Sequence, residues 1–241
     1  MQSVADTFTR VADGYDRLNR ILSLGLDVRW RRRALALLAE GLPDGGRNAM
    51  NILDLATGTA DFAIAAARSF PGASVTGLDL TPAMLEIGAR KVEEAGLARR
   101  IELVAGDAAT LPFADDSFDA AMCAFGFRNF PDIPASLSEA ARILRNGGQL
   151  VVLEFFRPCS ALLGAFTSGW LKAVSALFAR GRAADYAYLR ASIAKTCSAG
   201  EFAAMAREAG LELALEKFFF PACTCLVLRK CGKIRDRLGT R

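Results

Sequence analysis

Asn51-Ile-Leu-Asp-Leu-Ala-Thr-Gly-Thr-Ala-Asp-Phe-Ala-Ile64 decides the fold. Ile52, Leu53 and Leu55 form an apolar run that reads as a buried strand. Ala56-Thr57-Gly58-Thr59-Ala60 carries almost no side-chain bulk and reads as a tight turn, after which Asp61 is placed to cap a helix. Such a turn lets a ligand approach the backbone and presents free amide N–H groups at a helix N-terminus, where negative charge is favoured. A second apolar run, Ser74-Val75-Thr76-Gly77-Leu78, ends at Asp79. Asp79 lies about 20 residues beyond the turn, the distance at which a βαβ unit sets an acid beside a ribose. Together the two stretches indicate a nucleoside cofactor.

Strands and helices alternate outward from this unit. Thr81 and Pro82 open a helix with Met84, Leu85, Ile87 and Val92 among its apolar residues. Ile101–Ala105 and Phe118–Ala124 are the third and fourth strands. A helix over Pro134–Leu144 stops at Asn146-Gly147-Gly148, and Gln149–Phe155 is a fifth strand, nearly all apolar. Continuous apolar strands between helices predict a parallel sheet covered on both faces. Glu201–Ala209 is a further helix, and Leu211–Phe220 with Thr224–Arg229 forms a closing antiparallel hairpin. Ahead of the first strand, Phe8, Val11, Tyr15, Leu18 and Leu22 mark one face of a helix, and Val28–Glu40 is a second helix. The chain divides into a helical lid at 1–45, a catalytic domain at 46–230 and a basic tail at 231–241.

Composition narrows the chemistry. The 241 residues suit one large α/β domain, and the 52% hydrophobic content is enough for a two-faced sheet core. The formal charge of +4 is spread along the chain, which speaks against a nucleic-acid partner and leaves room for weak attraction to a membrane surface. The chain holds no histidine, so a histidine triad, a histidine general base and histidine-ligated zinc are excluded. The six cysteines show no metal-ligand pattern and follow no signal peptide, and Cys223 and Cys225 fall on one strand face, as core packing requires. Ser160–Ala179 has only Lys172 as a charge over about the length that spans a bilayer. Its apolar residues share one face, however, so it reads as a covering helix. The expected localisation is cytoplasmic, with room for peripheral membrane contact and for a homodimer.

In open α/β sheets ligands bind at the carboxyl ends of the strands. There the sequence places Asp54 and Thr59, then Asp79, Asp107, Arg128 with Asn129, and Glu154. Asp79 suits a ribose diol and Asp107 an adenine. Asp54 suits either ligand contact or hydrogen bonding within the turn. Gly58-Thr-Ala60-Asp-Phe-Ala63 departs from the dinucleotide fingerprint at two glycines, and no later domain brings a catalytic base to a nicotinamide.

Asp107, the block Leu111–Asp119 and the Gly147-Gly148 turn with its strand resemble class I S-adenosylmethionine-dependent methyltransferases over Asn51–Phe155. A narrower likeness runs from Phe8 to Gly210. Tyr15-Asp16-Arg17-Leu18-Asn19, Leu22-Ser23-Leu24-Gly25, Trp30-Arg31, Phe125–Phe130, Leu153-Glu154-Phe155 and Tyr188–Ile193 are similar to the quinone-biosynthesis C-methyltransferases. The resemblance implies a Rossmann-like, mostly parallel seven-stranded sheet with a C-terminal antiparallel hairpin, and S-adenosylmethionine as cofactor. It also implies a polyprenyl quinol substrate in menaquinone or ubiquinone biosynthesis, a demethylmenaquinol or a methoxy-benzoquinol, with 2-demethylmenaquinol the favoured of the two. Its cofactor contacts fall on Thr59, Asp79, Asp107, Ala108 and Ala124. Ala124 replaces a frequent serine and leaves only backbone contact; Ala60 replaces a frequent glycine. Arg128 is a poor base because guanidinium stays protonated, so its expected role is to stabilise a developing phenolate. Tyr15 or an ordered water relays the proton, and Asn129 binds a quinol oxygen or orients Arg128. A methyltransferase with another acceptor, and a non-catalytic cofactor-binding member of a quinone-pathway complex, are the competing readings.

Overall fold

The computed structural model describes residues 20, 23–46, 48–158, 164–165, 169, 195–220 and 223–231. Helix α1 (Leu26–Gly41) leads into β1 (Met50–Leu55), α2 (Asp61–Ser69), β2 (Ala73–Asp79), α3 (Pro82–Glu94), β3 (Ile101–Ala105) and β4 (Phe118–Ala124). Helix α4 (Ile133–Ile143), β5 (Leu144–Glu154), α5 (Ala199–Glu208), β6 (Leu211–Phe219) and β7 (Cys223–Lys230) follow. The seven strands form one sheet in the order β3-β2-β1-β4-β5-β7-β6. Strands β1 to β5 are mutually parallel, and β7 runs antiparallel to both of its neighbours. The order reverses between β1 and β4, whose carboxyl ends open the crevice where such sheets hold ligands.

The central strands β1, β4, β5 and β7 are largely buried on both faces, which is why they read as apolar runs, while the edge strand β6 is exposed along most of its length. Ile52, Met122, Val151 and Val227 enter one core with Trp30, Leu35 and Leu38 of α1 and with Phe62 of α2. Leu53, Leu55, Cys123, Leu150 and Val152 enter the other, against Leu137 of α4 and Phe202 of α5. Each such side chain contributes roughly 1.5–3 kcal/mol by leaving water. Cys223 and Cys225 share the first core as free thiols. Helix α1 thus packs within the same core as the sheet. The first expected helix, Tyr15, most of Ser160–Ala179, the Tyr188–Ile193 motif and residues 232–241 lie outside the described residues. Among the described residues no helix is long and apolar enough to cross a membrane.

Two local expectations change. Asp61 does not cap α2: the cap position is Ala60 in a left-handed conformation, φ 65°, and Asp61 instead pairs with Lys91 Nζ at 2.6 Å. Helix α4 ends where expected, but β5 begins at Leu144 rather than Gln149, because Leu144 already pairs with Phe118 in the sheet. The residues between Leu144 and Gln149 form an irregularity in the β4–β5 ladder. Gly148 is fixed there by space, since a Cβ would lie 2.8 Å from Arg145 O and 3.0 Å from Asp119 O.

Candidate active site

The turn after β1 is a tight coil of left-handed residues: Ala56 at φ 53°, Gly58 at 56° and Ala60 at 65°. Two of the three are alanines, each costing roughly 1–2 kcal/mol in this region. The coil is pinned to the neighbouring strand by Thr57 N donating to Leu78 O (3.0 Å) and by Gly58 N donating to Asp79 Oδ2 (2.8 Å). Asp79 also accepts from Thr81 N through Oδ1 (2.8 Å), so its carboxylate laces the two cofactor-side turns together. A carboxylate has about four lone-pair sites. Asp79 nonetheless lines the cleft, so the structural duty and ribose binding are compatible. Burial pushes the Asp79 carboxyl up, opposed by the Thr81 and Gly58 amides.

A cleft with ≈ 760 Å³ of space, its open mouth included, lies over these turns. Asp79, Asp107, Ala108, Ala124 and Asn129 all line it, with Leu80 and Met84 among its apolar contacts. Asp107 Oδ1 accepts from Ala109 N at 2.8 Å, which fixes the carboxylate at the end of β3. A smaller space adjoins the cleft through Ala56, Gly58 and Ala124 and is lined by Asp54, Thr59, Asp61 and Arg31. Thr59 Oγ1 accepts from Lys91 Nζ at 3.1 Å. Asp54 is 1% exposed and accepts the Thr57 hydroxyl at 2.7 Å. Burial pushes its carboxyl up to about 7, opposed by the Thr57 hydroxyl, the Arg31 charge and the Ala63 amide. All six residues expected to touch the cofactor thus line these two connected spaces.

The acceptor-side residues separate. Phe125, at φ 63°, turns the chain out of β4 into a single helical turn over Phe127–Asn129. Asn129 faces the cleft, with Nδ2 3.4 Å from Phe125 O. Arg128 turns inward to Glu154: Nη1 meets Oε1 at 2.5 Å, and the Arg128 amide donates to Oε2 at 3.2 Å. Both side chains are nearly enclosed, 7% and 1% exposed. The nearby Asp132 is taken up in capping α4, where its Oδ1 accepts from Ala135 N at 2.9 Å. The Arg128 guanidinium also lies 6.0 Å and 5.9 Å from the centroids of Phe125 and Phe155, rings stacked on each other at 5.0 Å. The sequence places Glu154 at a strand end without its ion-pair role, and gives Arg31 no place at the site. A charge inside the apolar run Val151–Phe155 was the available signal for Glu154.

A nucleoside-sized cleft with a diol-ready carboxylate, joined at a glycine turn to a space carrying both signs of charge, fits S-adenosylmethionine. A family model, that of the ubiE/COQ5 methyltransferase family, matches residues 1–225. The chain belongs to the ubiE/COQ5 methyltransferase family. Its curated relatives include a demethylmenaquinone methyltransferase of Thermotoga maritima, 38% identical over 88% of this chain and 90% of the relative. One of Thermus thermophilus is 41% identical over 88% and 94%. A ubiquinone/menaquinone biosynthesis C-methyltransferase UbiE of Rhizobium meliloti is 39% identical over 86% and 80%. Among solved structures, an S-adenosylmethionine-dependent methyltransferase of Methanococcus maripaludis superposes with a TM-score of 0.67 at 20% identity, covering 93% of this chain and 94% of that one. At that identity the likeness speaks for the fold. S-adenosylmethionine is therefore the methyl donor of this ubiE/COQ5 family member, and the seven-stranded class I architecture expected from the sequence is present.

Proposed function

We propose that this ubiE/COQ5 family member methylates a ring carbon of a polyprenyl quinol, converting 2-demethylmenaquinol to menaquinol. The observation that carries the reading is its likeness, over nearly the whole chain, to relatives named demethylmenaquinone methyltransferase. When bound, S-adenosylmethionine supplies an already activated methyl group. The protein's task is then to align it with an electron-rich carbon and to accommodate the ring proton that leaves. Asp79, Asp107 and Ala108 hold the nucleoside; Thr59, Asp54 and the backbone at Ala124 hold the remainder. Arg128, fixed by Glu154, places a permanent positive charge beside a developing phenolate, where a preorganised charge is most effective. Asn129 hydrogen-bonds a quinol oxygen at the cleft, and Tyr15 or an ordered water carries the proton away. The isoprenoid chain stays in lipid or in a greasy groove, so the enzyme meets its substrate as a cytoplasmic or peripherally attached protein, as a monomer or a homodimer.

The test is methyl transfer from labelled S-adenosylmethionine to chemically reduced demethylmenaquinone and to the benzoquinol precursor, side by side. Preferential transfer to the naphthoquinol is expected. Cofactor binding with transfer to neither overturns the acceptor. Arg128→Ala should lower turnover by about 100-fold with less than about a twofold change in cofactor affinity. Equal losses in both would remove Arg128 from the chemistry.

A further inference from the structure

Helix α1 buries Trp30, Leu35 and Leu38 and turns Arg29, Arg32 and Arg33 outward. Positions three and four apart lie side by side on a helix, so the three guanidiniums form one cluster. Among the described residues none of the three pairs with a carboxylate. Glu40, the acid on the same face, lies beyond Arg33 by about 10 Å along the axis.

The cluster adjoins β6. Arg33 Cζ lies 5.8 Å from the Phe219 ring centroid, and Trp30 Nε1 donates to Phe220 O at 3.3 Å. Leu215 and Lys217 pair with Val227 and Cys225, whose side chains enter the α1 core, so both stand on the α1 side of the sheet. Both are exposed, and Phe220 is exposed at 66%. Cations thus ring an aromatic side chain that water covers, the composition of a surface that enters a lipid interface. This patch lies at the end of the sheet where the cleft opens. Phe219 pairs with Cys223, and Thr224 with Glu154, the last residue of β5, so this end of β6 sits at the carboxyl ends of the parallel strands. Trp30 continues inward to Phe125, which lines the cleft, at 6.4 Å between centroids.

We infer that the outward face of α1 and Phe220 dock the protein on an anionic lipid bilayer, the guanidiniums meeting headgroup phosphates and Phe220 entering the acyl boundary. This docking rests on the polyprenyl quinol reading, because an acceptor anchored by its tail is met at the bilayer surface. Approach by this face brings the cleft end of the sheet toward the lipid.

The experiment is sedimentation of the full chain with vesicles of phosphatidylcholine alone or of phosphatidylcholine and phosphatidylglycerol in equal parts. Each cation near an anionic surface strengthens binding about fivefold, so the wild type should prefer the anionic vesicles by about 100-fold. That preference should fade as added salt screens the attraction. The triple variant Arg29→Gln, Arg32→Gln, Arg33→Gln should lose about 100-fold in affinity for anionic vesicles, and Phe220→Ser about 10-fold. Both variants should keep the wild-type melting temperature and affinity for S-adenosylhomocysteine, which shows the fold and the cleft intact. Wild-type protein that binds both vesicle types equally, or neither, overturns the proposal without recourse to a variant. A folded triple variant with full affinity for anionic vesicles overturns it too. Selective anionic binding that both variants weaken, with methyl transfer to neither quinol, would uphold the docking face and overturn the acceptor alone.

Discussion

The two ends of the cleft are built on opposite principles. At the nucleoside end, Asp79 and Asp107 are held by backbone amides on loops that the sheet itself supplies, and the surroundings are mostly apolar. At the amino-acid end, Asp54 and Arg31 are buried charges on different elements, and Arg31 reaches the site from a helix that precedes the sheet. On the proposed placement of the cofactor, the first end suits shape and hydroxyl groups and the second suits charge. Affinity for the nucleoside should therefore respond mainly to the sheet loops, and discrimination among nucleosides mainly to α1.

The largest expected effect breaks the nucleoside end. Asp79→Ala removes a diol acceptor and releases both turns, so binding of S-adenosylhomocysteine and of methylthioadenosine should fall together by at least about 100-fold. A loss confined to one of the two, measured by calorimetry, would contradict the division. A smaller effect sharpens the other end. Asp54→Asn should weaken S-adenosylhomocysteine about 10-fold and leave methylthioadenosine unchanged. The pH dependence follows from the Asp54 carboxyl standing at about 7 against an ordinary value of 3.8. The folded ligand-free protein then binds a proton that the unfolded chain releases, so stability declines as pH rises from about 4 to about 7 and levels off above. Asp54→Asn should flatten that decline in a series of thermal melts. In the wild type, S-adenosylhomocysteine affinity should drop roughly fivefold from pH 7 to pH 6, as the acid that meets the ammonium is neutralised. The smallest effect lies where the two ends meet. Ala60→Gly relieves a left-handed alanine at about 1–2 kcal/mol while adding about 0.5–1 kcal/mol of chain entropy, so Tm should rise by about 2–4 °C.

What the sequence made legible tracks how local each signal is. Ile101–Ala105 and Phe118–Ala124 are strands over the residues their apolar runs mark out. The acids at strand ends were legible for the same reason, because a turn following an apolar run fixes which side of the sheet they occupy. Asp61 was misread because capping depends on the conformation of Ala60, and a left-handed alanine leaves no trace in composition. Glu154 and Arg31 were under-read because their meaning is tertiary. Glu154 acquires its role only when the turn after β4 carries Arg128 over the end of β5, and Arg31 only when α1 packs beside the glycine turn. The early start of β5 has the same origin, since Leu144 is drawn into the sheet by pairing with Phe118, ahead of the apolar run that begins at Gln149.

Helix α1 is also stitched to the far end of the chain. Trp30 Nε1 donates to Phe220 O at 3.3 Å, and Arg229 Nη2 donates to Gly41 O at 3.2 Å, across 190 and 188 residues of sequence. The helix packs along β7 as well as β5, so its seat is complete only after the last two strands have been synthesised. On the ribosome, the nucleoside end can assemble from residues already emerged, while the charged end must wait for the closing hairpin.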